Sequence, residues 1–192
     1  MNTRIRRVAV TVAAAGVLPL ALSAWSDSGS ASAGQPFGPA CSAVPESGPG
    51  SLDAMAKEPV ATAASNTPAL STLASAIQKA GLVDTLNDAQ NLTVFAPTND
   101  AFKKIPQATL DQLLNDKAQL TKVLTYHVVG QKLTPQDLEN GSFATLEKSE
   151  LTTSGSGESY TVNDTAKVVC GDVKTANADV YLIDTVLMPP AS

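Results

Sequence analysis

The chain carries one histidine, His127, and two cysteines, Cys41 and Cys170, and these few residues bound the chemistry open to it. A histidine serves as a general base when it lies within hydrogen-bond reach of the group it activates. No G-x-S-x-G elbow accompanies His127, and no free-cysteine arrangement is visible to supply a nucleophile. Its place on an apolar stripe with Leu120, Val123 and Leu124 points instead to a buried structural histidine held by a neighbour, with Asp100 as the candidate partner. One histidine and two cysteines do not make a zinc site, and the sequence has no D-x-D-x-D-G loop for calcium, so neither metal nor cofactor is expected. The carboxylate pairs Asp137/Glu139 and Glu147/Glu150 sit among turn-like polar residues and read as solvated surface rather than as a glycoside acid/base pair. Asn91-Leu92-Thr93 and Asn163-Asp164-Thr165 match the glycosylation sequon, but the bacterial look of the N-terminus argues against modification.

That N-terminus also sets the compartment. Arg4, Arg6 and Arg7 precede an uncharged run from Val8 to Leu22, and Ala31-Ser32-Ala33 fits the A-x-A cleavage rule, so residues 1–33 are expected to be an export signal. Leu22-Ser23-Ala24-Trp25 resembles a lipobox except that Trp25 stands where the lipid-bearing cysteine belongs, so no lipid anchor is expected. From Gly34 onward there are ten lysines, no arginine and seventeen acidic residues, a formal charge near −7. Such a chain lacks the fork-shaped donor that binds phosphates, and its lysines are scattered, so the composition argues against nucleic acid and against anionic membrane as partners. No second apolar run approaches the ~20 residues of a membrane helix. In an oxidising compartment Cys41 and Cys170 are expected to form a bridge, the alternative being two separate thiols.

The elements that must position these residues follow from local signals. Residues 34–52 are rich in Pro, Gly, Ser and Ala and read as a leader that does not fold alone, and a bridge would pin it to the body. Residues 53–190 then make one domain. Thr67-Pro68 reads as an N-cap with Pro in the first turn, followed by a face of Leu70, Leu73, Ala74 and Ile77 that Gly81 ends. Leu82 to Leu86 adds a short helical turn, and Leu92 to Ala96 is a strand that Pro97 halts. Thr98 or Asn99 caps a brief helix through Phe102. Helices follow near Thr109 to Asn115 and from Asp116 on, the second carrying His127. After Val128-Val129-Gly130 the pattern turns to short strands, Phe143 to Leu146, Tyr160 to Val162, Ala166 to Cys170 and Val180 to Met188. Asn163-Asp164 and Gly171-Asp172 are the turns, and Thr152 to Ser159 reads as a mobile hairpin tip. The fold class is α+β, with helices mostly early and strands mostly late.

Three segments in this order resemble the fasciclin domain: "LTVFAPTNDAFKKIP" from Leu92, "LTYHVV" from Leu124, and "VYLIDTVLMPP" from Val180. Together they span nearly all of Asp53 to Pro190. A leader cysteine with a strand cysteine, plus "EPVATAASNTP" and "VVCGDVKTANADVYLIDTVLMPP", is similar to the secreted or lipid-anchored fasciclin antigens of mycobacteria and related actinobacteria. The resemblance implies a single compact wedge of two β-sheets with several helices packed around it. It implies that "TVFAPTNDAF" is a core strand turning into a helix, and that the protein works in adhesion, without catalysis. It also places Tyr126 and His127 on a segment linked in animal members to integrin contact. The expectation is therefore an exported, monomeric, non-enzymatic module for a protein, cell-surface or matrix partner, free outside the cell or associated with the wall. The alternatives are an exported hydrolase with an unrecognised site and a wall antigen without a tight ligand.

Overall fold

The computed structural model describes residues 35–45 and 47–190. The expected signal sequence and its cleavage after Ala33 lie outside the described residues. Seven α-helices occur among them: α1 (Leu52–Met55), α2 (Val60–Asn66), α3 (Ser71–Ala80), α4 (Val83–Asp88), α5 (Asn99–Lys103), α6 (Gln107–Asn115) and α7 (Lys117–Tyr126). The strands are β1 (Leu92–Pro97), β2 (Val128–Val129), β3 (Asn140–Ala144), β4 (Glu150–Ser156), β5 (Ser159–Val162), β6 (Ala166–Lys174) and β7 (Ala178–Ile183). They form one ladder in the order β2-β1-β7-β6-β5-β4-β3. An isolated bridge between Val129 and Thr145 brings the two ends together, so the sheet nearly closes. The two expected sheets are the two halves of this ladder, joined through β6, whose start pairs with β5 and whose remainder pairs with β7.

Near closure divides the apolar residues into two cores. Leu92, Val94 and Ala96 of β1, with Ala178, Val180 and Leu182 of β7, face the helices. Phe95, Tyr181 and Ile183 point the other way, into the sheet's own interior with Val162, Val168 and Leu151. Both faces of this central parallel pair are covered, which explains why every residue of β1 and β7 is buried and why their sequences are mostly apolar, Thr93 and Asp179 apart, rather than alternating.

Several local readings change in the tertiary setting. Thr67 does not cap α3; its hydroxyl donates back to the Ala63 carbonyl at 2.8 Å, and a single 3-10 turn over Pro68–Leu70 intervenes. The amide of Thr72 is satisfied instead by Asn99 Oδ1 at 3.0 Å, from the far end of β1. Asn99 Nδ2 donates to the Pro68 carbonyl at 2.8 Å, so the β1–α5 corner clasps the start of α3, while Thr98 caps α5. Gly171-Asp172 is not a turn: both lie inside β6, where the register shifts and Asp172 takes φ 57°. Gly and Asp report left-handed backbone, and a bulge uses it as readily as a turn does. Thr152 to Ser159 is mostly strand, with only Gly157 and Glu158 left as the hairpin tip. Strand β3 starts earlier than expected, at Asn140, and β7 ends at Ile183, so Asp184 to Met188 leaves the sheet. Helices α1 and α2 occupy residues that the sequence left without an element. Asn163-Asp164 is a turn, with φ 49° and 53°.

Candidate functional site around Tyr126 and His127

Helix α7 is capped by Asp116, whose Oδ1 accepts from the amides of Ala118 and Gln119 at 3.0 and 3.1 Å. Its Leu120, Val123 and Leu124 face enters the helical core, and this sets the helix end, and with it Tyr126 and His127, inside the protein. His127 caps α7, and its carbonyl accepts from the Phe95 amide at 2.9 Å, which starts β2 against β1.

The geometry determines the His127 tautomer. Nδ1 lies 2.7 Å from the Val123 carbonyl, an acceptor, and must carry the proton. Nε2 accepts from the Leu187 amide at 3.0 Å and must not. The ring is 2 % exposed. Burial pushes its pKa down from 6.5 to about 4, against a smaller opposing effect of the Val123 carbonyl. Both nitrogens are therefore committed, and the ring has no lone pair free to take a substrate proton. Asp100 is not its partner: that carboxylate is on the surface, paired with Lys103 at 2.8 Å, and the hydrogen bond from Lys103 holds its pKa below the usual carboxylate range. A first-turn carboxylate of a surface helix is drawn to its own i+3 lysine rather than to the interior.

Tyr126 is likewise buried. Its hydroxyl donates to the Glu150 carbonyl at 3.1 Å and accepts from Asn163 Nδ2 at 2.7 Å, while Asn163 Oδ1 accepts from the Thr152 amide at 2.9 Å. The two residues thus tie α7 to the β4–β5 half of the ladder and to the C-terminal segment. With side chains at 3 % and 2 % exposure, neither offers a partner a contact of its own. What the segment positions is a different matter. The large apolar side chains exposed among the described residues are Leu146, 40 % exposed, and Met188, 49 % exposed. The Leu146 amide donates to the Val128 carbonyl at 2.8 Å, and Met188 follows the residue that His127 clamps. Met188 and Pro189 line a groove of about 230 Å³ with Leu113, Gln119, Lys122 and Val123.

Three of the four carboxylates named from the sequence are held by neighbouring Ser or Thr groups. Asp137 accepts from the amide and hydroxyl of Thr134, Glu147 from the Ser149 hydroxyl, and Glu150 from the Ser142 hydroxyl. Among the described residues no three His, Cys, Asp or Glu side chains are grouped to hold a metal, and no helix is long and apolar enough to cross a membrane. Cys41 and Cys170 are bridged, with Cα atoms 4.9 Å apart.

Two constellations escaped the sequence reading. Asn177 Nδ2 donates to the carbonyls of Leu86, Asn87 and Ala89 at 2.7, 3.2 and 2.7 Å, and its Oδ1 accepts from the Val60 amide at 2.9 Å. It ties α2 and α4 to the start of β7. Lys174 bridges two buried carboxylates, Asp172 and Asp179. Burial acts to lower the Lys174 pKa, but Asp172 and Asp179 outweigh it and hold the ammonium above its ordinary value. The one hint of either was polar residues within the apolar "GDVKTANADVYLI" run.

Comparison with known proteins agrees with this architecture. The fasciclin domain profile matches residues 68–189. The immunogenic protein MPT70 of Mycobacterium tuberculosis is 47 % identical over the whole of both chains. The cell surface glycolipoprotein MPB83 of Mycobacterium bovis is 53 % identical over 149 residues, 75 % of this chain and 66 % of that one. Among solved structures, a FAS1 domain pair from the insect cell adhesion molecule fasciclin I superposes with a TM-score of 0.51 at 20 % identity, over 62 % of this chain and 45 % of that one, a likeness of fold.

Proposed function

Since the chain belongs to the fasciclin domain family, we propose that it is an exported, monomeric, non-enzymatic interaction module that contacts a cell-surface or matrix partner outside the cell or at its wall. The observation that carries this reading is the clamp of His127 on Leu187, which fixes exposed Met188 at the rim of the groove between α6 and α7. Because the backbone next to Met188 is already held by a buried hydrogen bond, less backbone entropy remains to be lost when a partner covers this side chain. Tyr126 and His127 act in this reading from beneath the surface, as supports. The names of the relatives, an immunogenic protein and a cell surface glycolipoprotein, agree with an external location and with antigenicity. A hydrolase reading finds no support at His127, whose nitrogens are both engaged.

The test is solid-phase binding of the purified protein to matrix proteins and to intact host cells, comparing wild type with Met188→Asp and Leu146→Asp. Both positions are at least 40 % exposed, so the variants keep the wild-type urea midpoint. The proposal expects saturable binding that weakens about tenfold or more in Met188→Asp, the scale of a lost interface anchor. Undiminished binding in both variants removes this surface, and no saturable binding by the wild type removes the function.

A further inference from the structure

The segment that follows β7 is firmly held at its start and lightly held beyond. The Asp184 amide donates to the Lys167 carbonyl at 3.0 Å, and the Asp184 carboxylate accepts from the Lys167 amide and from Lys104, each at 2.9 Å. From Val186 to Pro190, one hydrogen bond is made among the described residues, from the Leu187 amide to Nε2 of His127 at 3.0 Å. Proline has no amide hydrogen, so Pro189 and Pro190 add no donor. Val186 is sunk in the helical core and Leu187 in the inner one, whereas Met188 and Pro190 are exposed and Pro189 is half-buried. Peeling the segment back as far as Leu187 therefore withdraws one large side chain from a core and breaks one hydrogen bond.

The acceptor in that bond is a ring nitrogen, and a proton on it ends the bond. Nδ1 already commits its hydrogen to the Val123 carbonyl at 2.7 Å, so no change of tautomer keeps both contacts. With Nε2 protonated, an N–H faces the Leu187 N–H beside a ring that is 2 % exposed, where water does not reach to relieve the conflict. Nor does a charged neighbour. On α7 itself and the helices packed against it, Lys117, Lys122, Lys79 of α3 and Asp111 of α6 are exposed. Strands β1 and β2 carry no titratable side chain, Asp179 and Tyr181 of β7 are engaged by Lys174 and the Leu133 carbonyl, and Asp184 is engaged by Lys104. Burial sets the proton affinity of the ring, opposed only by the Val123 carbonyl.

We propose that residues 187–190 form an acid-operated latch, in which a proton on Nε2 of His127 releases Leu187 and frees Met188 from its fixed place at the rim of the α6–α7 groove. The open form exposes the ring to water and binds a proton that the closed form refuses, so opening is favoured as pH falls. With a ring pKa of 6.5 when open and about 4 when closed, the open-to-closed ratio rises about 20-fold from pH 7 to pH 5. Any consequence for binding rests on the reading of Met188 as a contact. The latch itself does not, because its readout is the Leu187 amide.

Hydrogen exchange of the 15N-labelled protein between pH 7 and pH 5 is the test, since the measured rate of an amide divided by its intrinsic rate at each pH gives its opening equilibrium. The Phe95 amide, bonded to the His127 carbonyl at 2.9 Å, is the reference for the sheet behind the latch. Leu187 is expected to exchange faster than Phe95 throughout, and its opening equilibrium to rise about 20-fold in wild type but to stay level in His127→Gln, whose side chain does not titrate. A control in wild type alone covers a glutamine variant that folds poorly: in urea below the unfolding transition the Leu187 rate stays flat, as a local opening requires, while that of Phe95 climbs. A Leu187 opening equilibrium unchanged from pH 7 to pH 5 overturns the proposal, because the ring then stays buried when the amide opens. An equal rise in His127→Gln, or Leu187 and Phe95 exchanging together with the same urea dependence, overturns it as well.

Discussion

His127 makes folding sensitive to acid, and the size of the effect follows from its surroundings. In the folded chain its pKa falls from 6.5 to about 4 because the buried ring has no water to solvate a second proton. Protonation would also turn Nε2 into a donor facing the Leu187 amide. Between those two pH values the unfolded chain holds a proton that the native chain refuses, so stability rises with pH. The contribution is fully present above 6.5 and is lost as pH falls through about 4, a total of about 3 kcal/mol at ~1.4 kcal/mol per pH unit. The assay is urea unfolding of wild type and His127→Gln between pH 7 and pH 4, since glutamine does not titrate and the carboxylates common to both chains cancel in the difference. Wild type is the more stable at pH 7, and its advantage shrinks by about 2 kcal/mol by pH 5. With a single histidine in the chain, its ring 15N signals give an independent reading of the Nδ1–H tautomer. An advantage equal at pH 7 and pH 5, or a ring that titrates near its ordinary value, would refute the reasoning.

Three other perturbations follow from the packing. Asn177→Asp removes the amide donor from the Leu86 and Ala89 carbonyls and sets a carboxylate against them; by urea unfolding at pH 7 it costs about 3 kcal/mol or more, and the deficit narrows below pH 4 as the new carboxyl regains a proton to donate. Lys174→Met leaves Asp172 and Asp179 facing each other without their shared cation; the loss is about 2 kcal/mol at pH 7, reduced by solvent at the half-exposed lysine, and it shrinks in acid. Opening the bridge in the Cys41→Ser/Cys170→Ser variant frees a span of 129 residues and lowers stability by about 3 to 5 kcal/mol in the chain-entropy account, read from denaturant midpoints against the oxidised wild type.

How much of the site was legible in the sequence depended on how local its signals are. Helices α3 and α7 declared themselves through apolar spacing, and Gly81 ended α3 in the left-handed conformation its sequence position announced. The compartment argument anticipated the bridge from Cys41 to Cys170, because that inference needs only the redox environment and two cysteines. Asp100 was misjudged because a carboxylate near a motif says nothing about which way its helix faces. Gly171-Asp172 was misjudged because a turn and a bulge share one backbone signal, and only the partner strand distinguishes them.

By itself the sequence determined the family, the α+β class and the succession of early helices and late strands, properties that neighbouring residues or composition encode. Tertiary structure alone decided what the key side chains do. His127 owes its tautomer to an amide 60 residues away, Asn99 caps a helix that starts 28 residues before it, and Phe37 fills the space that Gly171 leaves open. Such roles arise where segments distant in the chain meet, and no local pattern carries them, because a hydrogen bond or a packed ring is satisfied by geometry, whatever the separation in sequence.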